Sequence, residues 1–344
     1  MSVKPDHLLK EVKVQDAIGL RLGHDLTRIV PGEFKGIAFR KGHTIREEDI
    51  PLLLDIGKEH VYILDIPEGW VHEEEAAVRM AQAATEGFTE HLDFTEPHEG
   101  KVNIKSAIQG LVKIDQAFVN EVNSIVHVVF STLTTNTVVQ PGTTLAAARV
   151  VPLIVEETIV RRFEQAAQQH RSRTNGAPII TVLPFRRLKA GIVTTGSEVF
   201  HGRIEDKFGP VLKDKLSALG SEVIEQRFAP DDTEAIAEHI RYFRERNADL
   251  ILVTGGMSVD PDDRTPGAIA RSGADIVTYG TPMLPGSMLL FGYLPEGTPI
   301  FGLPGAVMHE KYTSFDVLLP RVAAGERITR ADIVALGYGG LLKQ

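Results

Sequence analysis

The sequence predicts an α/β protein with a three-layer α/β/α sandwich at its C-terminal end, built on a mostly parallel sheet. A small β-rich segment and an α+β region precede it. Three observations carry this reading. From residue 190 onward, short apolar runs alternate with amphipathic stretches, the pattern of βαβ units. Glycine-bearing loops follow three of those runs, where the ligands of open α/β sheets sit. The chain has 344 residues, enough for two domains or three small ones at about 150 residues each. The expected division is 1–67, 68–177 and 178–344.

The first segment reads as strands and turns punctuated by Gly32, Gly36 and Gly42. Within 40–64 the stretch 44–49 reads as a helix start. Ile50, Leu53 and Leu54 fall at helical spacing, Gly57 is a helix stop, and 61–63 reads as a strand. In the middle region, 71–91 reads as a polar helix with Ala, Val and Met on one face. The stripe Ile104, Ala107, Leu111, Ile114, Phe118 and Val122 predicts an amphipathic helix over 104–122. Strands are expected at 126–130 and 137–139, an apolar run at 144–152 and a helix at 155–169. The stretch RSRTNGAP (171–178) is the linker candidate.

In the C-terminal region, strands are expected at 190–194, 222–228, 250–254, 276–278, 288–291 and 299–301. Helices are expected at 210–219, closed by Gly220, at 233–246, at 265–271 and at 307–323. Thr265 and Pro266 read as an N-cap and first-turn pair.

Composition narrows the function. The chain has 37 Lys and Arg against 46 Asp and Glu, a net charge of −9. Such a chain repels a phosphate backbone, so no general nucleic-acid binding is expected. A small anion needs only local N–H groups and a few basic side chains. There is no cysteine, which excludes disulfides, thiolate catalysis and cysteine-bound zinc or iron–sulfur clusters. No apolar run approaches the roughly 18 residues of a membrane helix, and the first residues lack the apolar core of a secretory signal. The expectation is a cytoplasmic protein without a membrane partner.

Three loops carry the candidate chemistry: Thr194-Thr195-Gly196-Ser197-Glu198, then Thr254-Gly255-Gly256-Met257-Ser258 running on to Asp262-Asp263-Arg264-Thr265-Pro266, then Gly302-Leu303-Pro304-Gly305. Glycines let a backbone approach a ligand closely and aim N–H groups at it. Each loop alone reads as a tight strand-to-helix turn. Three at one sheet edge, with hydroxyls at Thr195, Ser197 and Ser258, describe an anion or phosphate pocket. Two acidic pairs, Asp231-Asp232 and Asp262-Asp263, also follow strands. Paired carboxylates beside a phosphate loop suit Mg²⁺. Asp232 precedes a helix and reads as its cap, leaving Asp231 and Asp263 as the metal candidates. The basic run Arg186-Arg187-Lys189 reads as a solvated strand edge, with anion guidance as the alternative. No G-x-S-x-G elbow is present, so a serine hydrolase is not suggested.

The strings TTGSE, APDD, TGGMSVDPDDRTPGAI, PMLPGSM and GLPGA, in this order over about 189–324, resemble the molybdopterin-binding domain of the MoeA and MogA families of molybdenum cofactor biosynthesis. The resemblance implies a sandwich that binds the pyranopterin dithiolene. It implies a cradle of Thr195, Gly196, Ser197, Glu198, Gly255, Gly256, Ser258, Arg264, Thr265, Pro304 and Gly305, with Asp231 and Asp263 tied to catalysis. Arg40-Lys41-Gly42 through Val61 resembles the segment preceding this domain in MoeA proteins. Three departures stand out. The lysine-bearing KPGKP loop is Met283-Leu284-Pro285-Gly286-Ser287 here. The closing PGNPVS is Pro304-Gly305-Ala306-Val307-Met308-His309, and the N-terminal DGYAV loop is absent. Region 68–177 matches no domain of known role.

The resemblance therefore implies a MoeA-like molybdopterin molybdenumtransferase, using Mg²⁺ and molybdate. The alternatives are a non-catalytic cofactor carrier, chaperone or sensor serving a molybdoenzyme client, and, as the related domain of competence-damage-inducible proteins suggests, a Mg²⁺-dependent nucleotide pyrophosphatase. By family analogy the chain is a homo-oligomer.

Overall fold

The computed structural model describes residues 10–30, 34–63, 66–258, 260 and 263–342. Two compact units divide between Val182 and Leu183. No helix among the described residues is long and apolar enough to cross a membrane.

In the N-terminal unit, Glu11–Lys13 pairs antiparallel with His60–Tyr62, and Leu26–Val30 with Phe34–Phe39. Val14, Leu22, Leu26, Ile45, Leu53 and Val61 close a small core there. Leu53 sits on the short helix Ile50–Asp55, and Gly57, at φ +76°, follows it. A four-stranded antiparallel sheet then runs Leu92–Phe94, Lys101–Ser106, Thr144–Val150, Val128–Thr132. A three-stranded sheet joins Thr137–Val139, Gly110–Ile114 and Ile180–Pro184. Helices Glu73–Thr85, Gln116–Asn123 and Glu157–Arg173 complete the unit. Phe118, Phe130 and Phe163 meet edge to face in its core at 5.5–6.2 Å.

The helix expected over 104–122 is a correction. That stretch holds the end of one strand, all of a second, and the helix Gln116–Asn123. In Lys101–Ser106 every second side chain is buried, the period of a strand. Only Phe118 and Val122, four apart and both buried, keep helical spacing inside a helix. Likewise 71–91 begins with the strand Trp70–His72, and its helix ends at Thr85 before Gly87 at φ +84°.

Glu73 opens the helix Glu73–Thr85 in a confined place, where a Cβ on Gly100 would collide with its carboxylate. Burial pushes its carboxyl up to about 7, more than Arg149, 3.9 Å away, offsets. A carboxyl whose folded pKa lies above its unfolded value binds its proton more tightly when folded. Stability is therefore lost as pH rises from about 4.5 to about 7. Glu73→Gln should remove that loss and raise stability at pH 8 by up to about 3 kcal/mol. Urea midpoints at pH 5 and pH 8 check it; an unchanged pH 8 midpoint refutes it.

The C-terminal unit is the α/β sandwich. Its strands are β1 (Lys189–Thr195), β2 (Glu222–Ala229), β3 (Leu250–Thr254), β4 (Asp275–Tyr279), β5 (Leu290–Tyr293) and β6 (Pro299–Leu303). Its helices are α1 (Ser197–Phe200), α2 (Phe208–Ser217), α3 (Thr233–Glu245), α4 (Thr265–Arg271), α5 (Ala306–His309), α6 (Ser314–Ala323) and α7 (Arg330–Ala335). The sheet order is β2-β1-β3-β6-β5-β4. β2, β1, β3 and β6 are parallel neighbours, and β5 runs antiparallel to both β6 and β4.

The three layers follow from strand alternation. Ala190, Ile192, Leu250, Leu252 and Phe301 face a core shared with Leu212, Leu216, Phe315 and Leu318 of α2 and α6. Val193, Ile251, Val253 and Ile300 face Ile236, Ile240, Phe243, Ala268 and Ile269 of α3 and α4. Three helix boundaries differ from expectation. α2 runs Phe208–Ser217 rather than over the expected 210–219. The closing helix is two, α5 and α6, because Thr313 and Asp316 form a capping box that restarts it. Arg264, not Thr265, occupies the N-cap of α4. The strand expected at 288–291 lies at Leu290–Tyr293.

Candidate functional site

β1, β3 and β6 end side by side, and the three glycine loops leave them at this common carboxyl edge. Backbone geometry makes the glycines there necessary. Gly196 has φ +133°, Gly255 +85° and Gly256 +54°, values that side chains with a Cβ disfavour. A Cβ on Gly255 would also stand 2.5 Å from the Thr195 carbonyl oxygen. The first and second loops are thus in backbone contact.

Two joined clefts open at this edge. One, of about 770 Å³, is lined by Thr194, Thr195, Gly196, Glu198, Asp206, Lys207, Asp231, Asp260, Asp263 and His309 among others. The other, of about 380 Å³, is lined by Ser258, Gly286, Ser287, Pro304, Gly305 and neighbours. Phe208, Gly255, Gly256 and Asp263 border both.

Most of the sequence-derived candidates therefore meet in one place. Asp231 Oδ2 accepts the backbone N–H of Ser197 at 2.8 Å and its hydroxyl at 3.0 Å. This holds the first loop to the end of β2 and leaves the other carboxylate oxygen of Asp231 for the cleft. Asp263 Oδ2 accepts the Asp260 N–H at 3.2 Å, closing the acidic turn behind the second loop. Asp262 lies outside the described residues. Asp232 is a cap: its Oδ1 accepts the Ala235 N–H at 2.9 Å at the start of α3.

Three candidates sit elsewhere. Ser197 lines neither cleft and gives both its backbone N–H and its hydroxyl to Asp231. Thr265 is fully buried, and its hydroxyl donates to the Gly255 carbonyl at 2.8 Å. It braces the glycine loop from behind rather than facing the cleft. Arg264 is exposed and lines neither cleft.

Other wall residues were not singled out from sequence. Asp206 accepts the N–H groups of Phe208 and Gly209, each at 3.0 Å, and so sets the start of α2. Gln226 ties it to β1, donating to Asp206 Oδ2 at 2.6 Å and Thr194 Oγ1 at 2.9 Å. Tyr279 donates to the carbonyl of Met257 at 3.1 Å, fixing the second loop from β4. Burial and the nearby Asp263 raise its hydroxyl pKa, so it stays a donor at neutral pH. An Asp two residues before a helix is a readable cap signal; Tyr279 gave none, because its partners Met257 and Ser258 are about twenty residues away in sequence.

Charge on the walls is lopsided. Glu198, Glu205, Asp206, Asp231, Asp260 and Asp263 face Lys207 and His309. Among the described residues no three carboxylates or histidines are gathered closely enough to hold a metal alone.

The fold and its edge define a class: an α/β sandwich whose three glycine loops border clefts at the carboxyl ends of its parallel strands. Residues 191–324 match the model of the probable molybdopterin binding domain. A second model, a domain of unknown function (DUF8806), matches residues 11–65. The chain is 39% identical over 83 residues to a CinA-like protein of Mycobacterium tuberculosis, covering 24% of this chain and 19% of that one. It is 29% identical over 156 residues to the molybdopterin molybdenumtransferase of Synechococcus elongatus, covering 43% of this chain and 39% of that one. The matches thus span a fifth to two fifths of these relatives' length. The molybdopterin biosynthesis enzyme MoaB from Thermus thermophilus aligns at 27% identity with a TM-score of 0.35, over 40% of this chain and 98% of that chain.

Proposed function

We propose that the cleft binds a phosphorylated pterin of the molybdopterin class together with Mg²⁺, and that the protein acts on it in molybdenum cofactor biosynthesis. One observation carries this: three glycine loops and a carboxylate-rich wall meet at one sheet edge. The loops offer N–H groups to a phosphate. The carboxylates would repel the same phosphate unless a divalent cation lay between them. Mg²⁺ fits that donor set, since it takes hard oxygens and is usually held by one or two carboxylates, waters and substrate phosphate rather than by a protein cage. Asp231 and Asp263 are the residues to hold it.

The chain's own part is positioning. Ser197 and Asp231 fix the first loop, Thr265 and Tyr279 the second, so the N–H groups are aimed before ligand arrives. Mg²⁺ would supply charge neutralisation at the phosphates. A MoeA-like molybdenumtransferase is the first reading. The lysine-free Met283–Ser287 loop favours a carrier as the second, because no cation there attracts molybdate. The CinA-like similarity favours nucleotide pyrophosphate hydrolysis as the third.

The test uses protein purified from a host that makes molybdopterin, denatured and oxidised to release the fluorescent pterin derivative. The expected result is near-stoichiometric pterin. Asp263→Asn should retain pterin and stop turnover if the protein is a transferase, and should retain both binding and delivery if it is a carrier. No pterin, even after soaking with cofactor and Mg²⁺, overturns the reading; turnover of ADP-ribose would then support the third.

A further inference from the structure

A second cleft, of about 580 Å³, lies at the opposite edge of the C-terminal sheet. It opens beside the starts of β1, β3 and β6, and four arginines line it: Arg186, Arg187, Arg244 and Arg327. On a chain of net charge −9 such a concentration of guanidinium is a local feature that needs a cause.

Pairing accounts for only half of it. Arg244 grips Glu296 with two hydrogen bonds, at 2.8 and 2.9 Å, and donates to the Ser272 carbonyl. Arg187 donates to Glu222 at 3.0 Å. The other wall carboxylates are engaged as well. Asp249 accepts the Lys189 N–H at 2.9 Å, and Glu326 accepts from Arg321 at 2.7 Å. Among the described residues, neither Arg186 nor Arg327 has a carboxylate or carbonyl partner for its guanidinium.

Both guanidinium groups are nonetheless held. Arg327 lies over the ring of Tyr293, 4.5 Å from its centroid. Arg186 packs closely enough on Gly325 that a Cβ there would stand 2.4 Å from its central carbon. Ring and glycine restrain these side chains without using their donors. Two pre-placed forks with free N–H groups are what bidentate recognition of phosphate requires.

We propose that this cleft is a second anion site, specific for a small phosphoanion with two phosphoryl groups, and separate from the pterin cleft. Its volume lies within the range of small-molecule sites, about 300–1,000 Å³. Arg186 and Arg327 each take one phosphoryl group, and Arg244 adds field without leaving Glu296. Unlike the acidic cleft, it needs no divalent cation.

That difference makes the test clean. Inorganic pyrophosphate is titrated calorimetrically into the full chain in EDTA, where the carboxylate-rich cleft has no cation to bridge it. One equivalent should bind. Arg186→Gln with Arg327→Gln should weaken binding at least about tenfold, since charge-assisted hydrogen bonds at both ends are lost. Asp263→Asn should not change it, and Arg187→Gln should change it less than about twofold, its charge being already paired. Both arginines are exposed, and an unchanged melting curve confirms the double variant is folded. No binding in EDTA, or equal binding by the double variant, overturns the proposal.

Discussion

Gly255→Ala is expected to lower the unfolding free energy by about 3 kcal/mol, while Gly305→Ala, on the third loop of the same cleft, should change it by less than about 0.5 kcal/mol. The contrast rests on local geometry. Gly255 has φ +85°, and an added Cβ meets the Thr195 carbonyl at 2.5 Å and its hydroxyl at 2.6 Å. A left-handed residue with a Cβ costs about 1–2 kcal/mol, and the collision is with backbone at the end of a buried strand, which cannot swing aside. Gly305 has φ −54°, and an added Cβ meets nothing within 4 Å. Nothing in the fold itself requires glycine at 305. It borders the cleft, so the open space over it is where a ligand would lie. Gly305→Ala should therefore keep its melting temperature and lose pterin retention. Thermal melts and pterin release measured on the same two proteins decide it. A stable Gly255→Ala would remove the idea that the first and second loops form one rigid cradle.

The same residues explain why much of this site could be read from sequence. Each glycine loop is announced by its own composition, directly after a short apolar run that reads as a buried strand. Asp232 before Thr233 is a cap signal, and it caps α3. What stayed hidden depends on distance. The stripe from Ile104 to Val122 matches a helical period, yet two strand periods and a short helix fit the same letters, and the partner strand Thr144–Val150 decides between them. Thr265 reads as a cap because Pro266 follows it; its hydroxyl instead reaches back ten residues to Gly255. Tyr279 acts on Met257 across 22 positions, and no local pattern encodes that. The paired and unpaired arginines of the opposite cleft are alike in the sequence. Only the positions of Glu222, Glu296 and Tyr293 tell them apart.

Arg321→Met should cost about 2 kcal/mol and blunt the acid sensitivity of the C-terminal unit. Arg321 is only 6% exposed within α6. Its Nε donates to Glu326 at 2.7 Å and its Nη2 to Asp332 at 2.7 Å. Losing one partner of a buried ion pair costs about 3–5 kcal/mol; the two carboxylates here are partly exposed and regain water, which lowers the figure. Asp332 also receives the N–H of Thr329 at 2.9 Å and so caps α7. Burial pushes the Asp332 carboxyl up, but its hydrogen bonds with Arg321 and Thr329 pull harder and hold it at about 2, from an ordinary 3.8. A depressed carboxyl gives stability that is present above its unfolded pKa and disappears as pH falls through its folded one. For Asp332 the window runs from about 4 down to about 2. With methionine at 321 the carboxyl moves back toward its ordinary value, and less stability remains to be lost in that window. The urea midpoint should fall between pH 6 and pH 3 by less in Arg321→Met than in the parent chain, although it starts lower. An equal fall would assign the acid sensitivity to other carboxylates and leave Arg321 a packing residue.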